Sequence, residues 1–229
     1  MCSYECNKAV SERALRRIAA RRERRYKAVT KAEFAVRLQS ACAAVIGAEQ
    51  ELSDIDARFG DADHGLTMSK IAGAISGAVS ASEGGIQSML DDAAMAVMEL
   101  NGGSAVPLWN TWLDGMQENA PDGNEIDVEG LKAMFAGALE ALEDISGAKV
   151  GDKTMMDALI PATEAVEAYE GGDEAGLFAA ASAAAEAGAE NSKNFVSKFG
   201  RAKSYGEQTI GTPDAGAVSM SYFFRGLAE

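Results

Sequence analysis

The chain of 229 residues is long enough for one well-buried core, and its 47% apolar content, with 24 Gly but only 4 Pro, favours packed helices over sheets. No apolar run approaches the roughly 18 residues of a membrane span and no signal-peptide pattern opens the chain, so a cytoplasmic protein without membrane association is expected. The net charge of -14 is uneven: residues 1–30 carry nine Lys/Arg against three acids, which leaves the remainder at about -20 and poorly suited to binding nucleic acid.

Residues 1–30 read as a basic N-terminal extension. The stretch "RALRRIAARRERRYK" has weak amphipathicity and no interleaved aromatics, so a solvated segment accounts for it better than a nucleic-acid or membrane arm. Cys2, Cys6 and Cys42 form no metal-ligand spacing with the lone His64. A single domain is expected over 31–229.

That domain opens at "TKAE", residues 30–33, a capping box followed by Phe34, Leu38, Ala41 and Val45 along one helical face. Similar periodicity predicts helices near 64–80, 87–100, 104–117, 127–144, 154–169, 173–193 and 214–227, about eight in all. No segment offers a convincing strand. An all-α closed barrel or bundle follows. The connections at 51–63 and 194–213 are long and rich in Gly, Asp and Arg, which marks them as functional loops.

The first loop contains "GDADHG". Asp56, Asp61 and Asp63 can converge hard oxygen ligands on a divalent cation, although Asp63 serves equally well as an ordinary helix cap. An EF-hand is excluded because Gly65 and Ala72 stand where it needs ligands. In "NGGSAVPL", Gly102, Gly103 and Ser104 offer close backbone approach and donors to phosphate, or a plain turn. "GAKVGDKTMM" resembles a P-loop until Asp152 interrupts the motif, and no strand precedes it. In the last loop Arg201 can fold over an anion, ahead of a helix starting near Asp214. Taken together, carboxylates, Gly/Ser turns at helix starts and an Arg describe a magnesium-nucleotide site.

These motifs, in this order over residues 33–228, resemble the nucleotide-binding L subunit of dihydroxyacetone kinase, the DhaL family. The resemblance implies a closed barrel of eight antiparallel amphipathic helices with the nucleotide in loops at one end. It implies that Asp56, Asp61 and Asp63 hold two Mg2+, and that His64, Gly65, Leu66, Thr67, Gly103, Ser104 and Ala105 line the phosphates. Gly147 and Met155 would lie near the base, with Arg201, Asp214, Ala215 and Gly216 closing over the nucleotide. No separate catalytic residue is expected, because phosphoryl transfer asks mainly for position and charge neutralisation.

The implied partner is a K-type subunit that holds the ketose on its own histidine, a role not assigned to His64. The phosphate would come from ATP, or from bound ADP rephosphorylated by a phosphotransferase-system phosphocarrier, and a homodimer is left open. The sequence departs from the family at Ala105-Val106, where Ser-Gly is usual, at Thr67, where Asn is usual, and at Ala215, where Pro is usual. The altered Ala105-Val106 argues for a second reading, a nucleotide-binding regulatory or adaptor protein without transfer activity, and the intact Asp56, Asp61 and Asp63 argue against it.

Overall fold

The computed structural model describes residues 28–229; the basic run within the proposed extension lies outside the described residues. Thr30 caps the first helix, α1 (Lys31–Gly47), as its spacing predicts: the Thr30 hydroxyl accepts from the Glu33 N–H at 3.2 Å, and the Glu33 carboxylate accepts from the Thr30 N–H at 2.9 Å. Phe34, Leu38, Ala41, Cys42 and Val45 form its buried face.

The described residues contain nine α-helices rather than about eight. The extra one, α2 (Glu49–Asp56), overlaps the 51–63 stretch that the sequence reading treated as a connection. Its residues are mostly polar, and only Leu52 is buried, so eight residues with one apolar anchor left no periodicity to detect. There follow α3 (His64–Ala81), α4 (Ile86–Met98), α5 (Ala105–Glu118), α6 (Val128–Ser146), α7 (Met156–Ala168), α8 (Glu174–Asn191) and α9 (Ala215–Ala228). The expectation of no strand is corrected by one short pair: Val29–Thr30 (β1) runs antiparallel to Glu125–Ile126 (β2). Two-residue strands carry no alternation for a sequence reading to find. The 194–213 connection is likewise not featureless, since 3-10 turns cover Ser192–Asn194 and Arg201–Thr209.

Eight of the helices close a ring in the order α1, α3, α4, α5, α6, α7, α8, α9 and back to α1. Inside it, Trp109, Trp112, Phe135, Phe178, Phe223 and Phe224 pack edge to face or tilted, with centroid separations from 5.2 to 6.4 Å. The closing seam between α9 and α1 depends on Gly226. A Cβ there would lie 2.4 Å from the Ala41 Cα, a backbone atom that cannot step aside.

Alternate helices point in opposite directions. The N-termini of α1, α4 and α6 gather at one end, where the Lys31 N–H donates to Asn124 O and the Ile86 N–H to Gly123 O. The N-termini of α3, α5, α7 and α9 meet at the other end, around a single cavity.

Candidate functional site

The three acidic side chains singled out in the sequence do come together. Asp56 ends α2, and the tight loop after it brings Asp61 and Asp63 to the start of α3. One carboxylate oxygen from each lies within 4.8 Å of the others. Two backbone features make this possible. Ala62 takes up the left-handed region at φ 62°, a conformation that a non-glycine residue holds only at a cost of about 1–3 kcal/mol. Gly60 lies flat beneath Asp56, and a Cβ there would sit 2.1 Å from the Asp56 Oδ1.

Asp63 is not an ordinary cap, because its side chain makes no capping hydrogen bond to α3. Asp56 Oδ2 is buried with no hydrogen-bond partner among the described residues. A buried carboxylate oxygen left unsatisfied beside two further carboxylates is strongly unfavourable by itself and well matched to a hard divalent cation. The donor set therefore fits Mg2+.

The cavity beside these residues has a volume of about 590 Å3. Two of the helices pointed at it, α3 and α5, have no side-chain cap at Asp63 and Ser104, whereas the first N–H of α7 donates to the Thr154 hydroxyl at 3.2 Å and α9 is capped by Asp214. At the opposite end, Thr30, Asp127 and Asp173 cap α1, α6 and α8 with side-chain oxygens, and the first N–H groups of α4 donate to Gly123 O and Pro121 O. Convergent open N-termini carry the positive end of the helix dipole and suit an anion.

Most of the expected residues line this cavity: Asp56, Asp61, Asp63, His64, Thr67, Gly103, Ser104, Ala105, Met155, Arg201, Asp214, Ala215 and Gly216. Three do not. Gly65 is buried against α2, so tightly that a Cβ would meet Glu49 O at 1.9 Å, and its part is to seat α3 on α2. Leu66 is 48% exposed and turned outwards. Gly147 ends α6 at φ 62°, while its neighbours Ser146 and Ala148 line the wall. Of the two departures on α5, Ala105 lines the wall and Val106 is buried behind it, over Gly102.

His64 sits half-buried with its Nε2 3.2 Å from the Ser219 hydroxyl. Burial lowers its pKa against the opposing pull of Asp56, so the ring is neutral at neutral pH. Asp214 caps α9 by accepting from the Ala217 N–H at 2.8 Å. Burial of its carboxyl pushes its pKa up to about 7; the Ala217 bond and Lys153 oppose that rise, and Asp157 reinforces it. At the mouth, Arg201 makes direct contact with Asp61.

Sequence reasoning missed several wall residues. Phe59 and Phe199 flank the mouth, and Phe59 packs on Tyr205 at 5.2 Å. Each phenylalanine precedes a glycine of its loop, a repeated Phe-Gly pair that could have flagged both. Asp157 was also missed: its carboxylate ties the 151–154 turn by accepting from the Gly151 N–H at 2.6 Å and the Thr154 N–H at 2.7 Å.

With the site in view, comparison with known proteins is decisive. Residues 58–229 match the DAK2 domain. The chain belongs to the DAK2 domain family. It is 38% identical over 192 residues to D-erythrulose kinase of Mycolicibacterium smegmatis, covering 81% of this chain and 33% of that protein. It is 30% identical over 182 residues to PEP-dependent dihydroxyacetone kinase 1, ADP-binding subunit DhaL, of Listeria innocua, covering 79% of this chain and 87% of that subunit.

Among solved structures, the native dihydroxyacetone kinase of C. freundii superposes with a TM-score of 0.64 at 26% identity, over 86% of this chain and 34% of that one. The same enzyme in complex with AMP-PNP and Mg2+ shares the fold, with a TM-score of 0.63 at 24% identity. The DAK2 chain thus spans about a third of the erythrulose kinase and most of the DhaL subunit. The all-helical barrel and the DhaL likeness read from the motifs are both borne out.

Proposed function

We propose that this chain is the magnesium-nucleotide-binding component of a short-ketose kinase, a phosphotransferase with an alcohol acceptor. The observation that carries the reading is the meeting of three carboxylates, one of them with an unsatisfied buried oxygen, with the two uncapped N-termini of α3 and α5 on one cavity. In this reading Asp56, Asp61 and Asp63 hold Mg2+, two ions being expected. Bound there, Mg2+ neutralises phosphate charge and orients the terminal phosphate.

The chain's own groups bind and position. The first-turn N–H groups of α3 with the Thr67 hydroxyl, and the Ala105 N–H of α5 with Ser104, hold phosphate oxygens. Met155, near Gly147, packs against the base. Arg201 adds positive charge at the mouth, and the start of α9, Asp214 to Gly216, closes the far wall. His64, neutral and hydrogen-bonded to Ser219, supports the loop and carries no transferred group.

The names of the relatives support a short ketose such as dihydroxyacetone or erythrulose as acceptor. The ketose would be held by a K-type partner. The name of the Listeria subunit, PEP-dependent and ADP-binding, supports bound ADP that is rephosphorylated at the expense of PEP. In that case a phosphotransferase-system phosphocarrier would be the further partner; consumed ATP is the other source. Cytoplasmic location accords with this chemistry. Among the described residues no helix is long and apolar enough to cross a membrane.

Thermal shifts of the purified protein with Mg2+ alone, ADP alone, ATP alone and each Mg-nucleotide test the reading. A large rise is expected only with metal and nucleotide together, about 2.7 kcal/mol of added stability at a hundred times Kd. No shift under any condition, in folded protein stripped of nucleotide, would sink it.

A further inference from the structure

Lys153 belongs to none of the groups assigned above, yet its side chain is unusual in three ways. It is 4% exposed. Its backbone is held at φ 61°, in the left-handed region, where a side chain is kept only if its surroundings over-determine it. Its ammonium donates to two backbone carbonyls, Ser192 O at 2.7 Å and Thr212 O at 2.5 Å.

Those carbonyls stand at the two feet of the loop that carries Phe199 and Arg201. The feet are also tied to each other, since the Gly211 N–H donates to Lys193 O at 2.7 Å and the Asp214 N–H to the Ser192 hydroxyl at 2.8 Å. Higher up, the Ser197 N–H donates to the Thr209 hydroxyl at 3.0 Å. The same 151–154 turn holds the outside of the loop, because the Lys198 N–H donates to Asp152 O at 3.1 Å and the Lys198 ammonium meets the Asp152 carboxylate at 2.5 Å.

Resting on the nucleotide reading above, we propose that Lys153 is a positioning residue of the site: it staples both feet of the 193–211 loop and thereby fixes where Arg201 stands at the cavity mouth. A charged donor suits the task, because two carbonyls facing one point need N–H groups from a third element, and a buried ammonium supplies three. Burial lowers the Lys153 pKa, and the neighbouring Asp214 and Asp157 oppose that fall in part. Lys153 also lines the cavity, but with two donors spent on carbonyls its action on a nucleotide runs through Arg201 and the loop.

The test uses Lys153→Met, which keeps the side chain's length and removes its donors, and Ser192→Ala, which loosens the same foot through the Asp214 N–H and stays informative if the first variant does not fold. Circular dichroism establishes folding. Trypsin cleavage after Arg201 and Lys203, timed by mass spectrometry without ligand, reads the loop directly. Mg-ADP affinity and Mn2+ binding alone read the site.

Loop cleavage about tenfold faster than in the wild type, relative to cleavage after Lys132, is expected without ligand. Mg-ADP affinity should fall about tenfold while Mn2+ binding is unchanged. Ligand-free cleavage that stays at the wild-type rate in the folded variants overturns the staple. Loss of Mg-ADP affinity with unchanged loop cleavage also overturns it, because that result makes Lys153 a direct ligand. Absence of Mg-ADP binding by the wild type defeats the nucleotide reading instead, and the ligand-free cleavage still decides the staple.

Discussion

Arg201, at the start of the 3-10 segment Arg201–Thr209, reaches across the cavity mouth and makes direct contact with Asp61 on the opposite loop. The guanidinium offsets charge in a cluster where three carboxylates lie within 4.8 Å of one another. The Arg201 side chain is largely exposed and that of Asp61 partly so, and such a pair contributes little stability by itself. Its interest is that it joins the acidic loop to the loop stapled by Lys153.

Asp61→Asn should therefore separate binding from folding. The residue is exposed and lies between helices, so helical content by circular dichroism is expected to match the wild type. Loss of one anionic ligand should weaken Mg-nucleotide binding by at least about tenfold in calorimetry. Metal-free Asp61→Asn should melt no lower than the metal-free wild type, because one of three mutually repelling charges is gone. Full retention of Mg-nucleotide affinity would remove Asp61 from the site.

Gly60→Ala should act on the same site without altering any charge. The new methyl would stand 2.1 Å from Asp56 Oδ1 and displace the carboxylate. The expected result is a drop in Mn2+ affinity of about tenfold or more, measured by electron paramagnetic resonance, with the fold intact. Wild-type affinity in this variant would show that the position of Asp56 is unimportant for metal.

Asp214 predicts a pH dependence. Its pKa is raised from 3.8 to about 7 in the fold, with Asp157 and Lys153 as the charged groups facing it. Between those values the folded protein retains a proton that the unfolded chain has released. Its contribution to stability therefore falls as pH rises from 3.8 to about 7 and is level above that. The fall is on the order of a few kcal/mol. Asp214→Asn keeps a capping acceptor for the Ala217 N–H and removes the titration. Denaturation of both proteins without metal at pH 4, 5.5, 7 and 8 should show the variant gaining on the wild type up to about pH 7. A constant difference across the series would contradict a raised Asp214 pKa.

Gly226→Ala tests barrel closure. The added methyl meets the Ala41 Cα at 2.4 Å and should destabilise by about 1–3 kcal/mol or more in urea titration, despite the better helix propensity of alanine. Gly73→Ala is the control, since that glycine lies on the exposed face of α3 with nothing within 4 Å of a new Cβ. It should stabilise by up to about 1 kcal/mol. Equal effects at the two positions would mean that α9 and α1 are not tightly seated.

Much of this protein was legible from local chemistry. The Thr30 to Glu33 cap, the apolar stripe from Phe34 to Val45, and the seven later helices follow from short-range rules, in which a residue's state depends on neighbours three or four positions away. The crowding of Asp61 and Asp63 between glycines, and the Gly/Ser turns ahead of α5 and α7, were visible for the same reason. The sequence could not say whether Asp63 was a cap or a ligand candidate, because both uses place the same residue at the same position. In the structure the Asp63 side chain makes no cap bond and lies with those of Asp56 and Asp61.

Other properties exist only when distant segments meet. That Gly65 is packing rather than wall depends on Glu49 in a neighbouring helix, and the tolerance of Val106 depends on its facing Gly102 instead of the cavity. The burial of Lys153, its reach to Ser192 and Thr212, and the raised pKa of Asp214 need three loops brought together by the closed ring. Burial and electrostatics depend on distance in space, which the order of residues does not state. Local sequence thus determined the helices and the candidate groups, and ring closure decided which of those groups share one cavity.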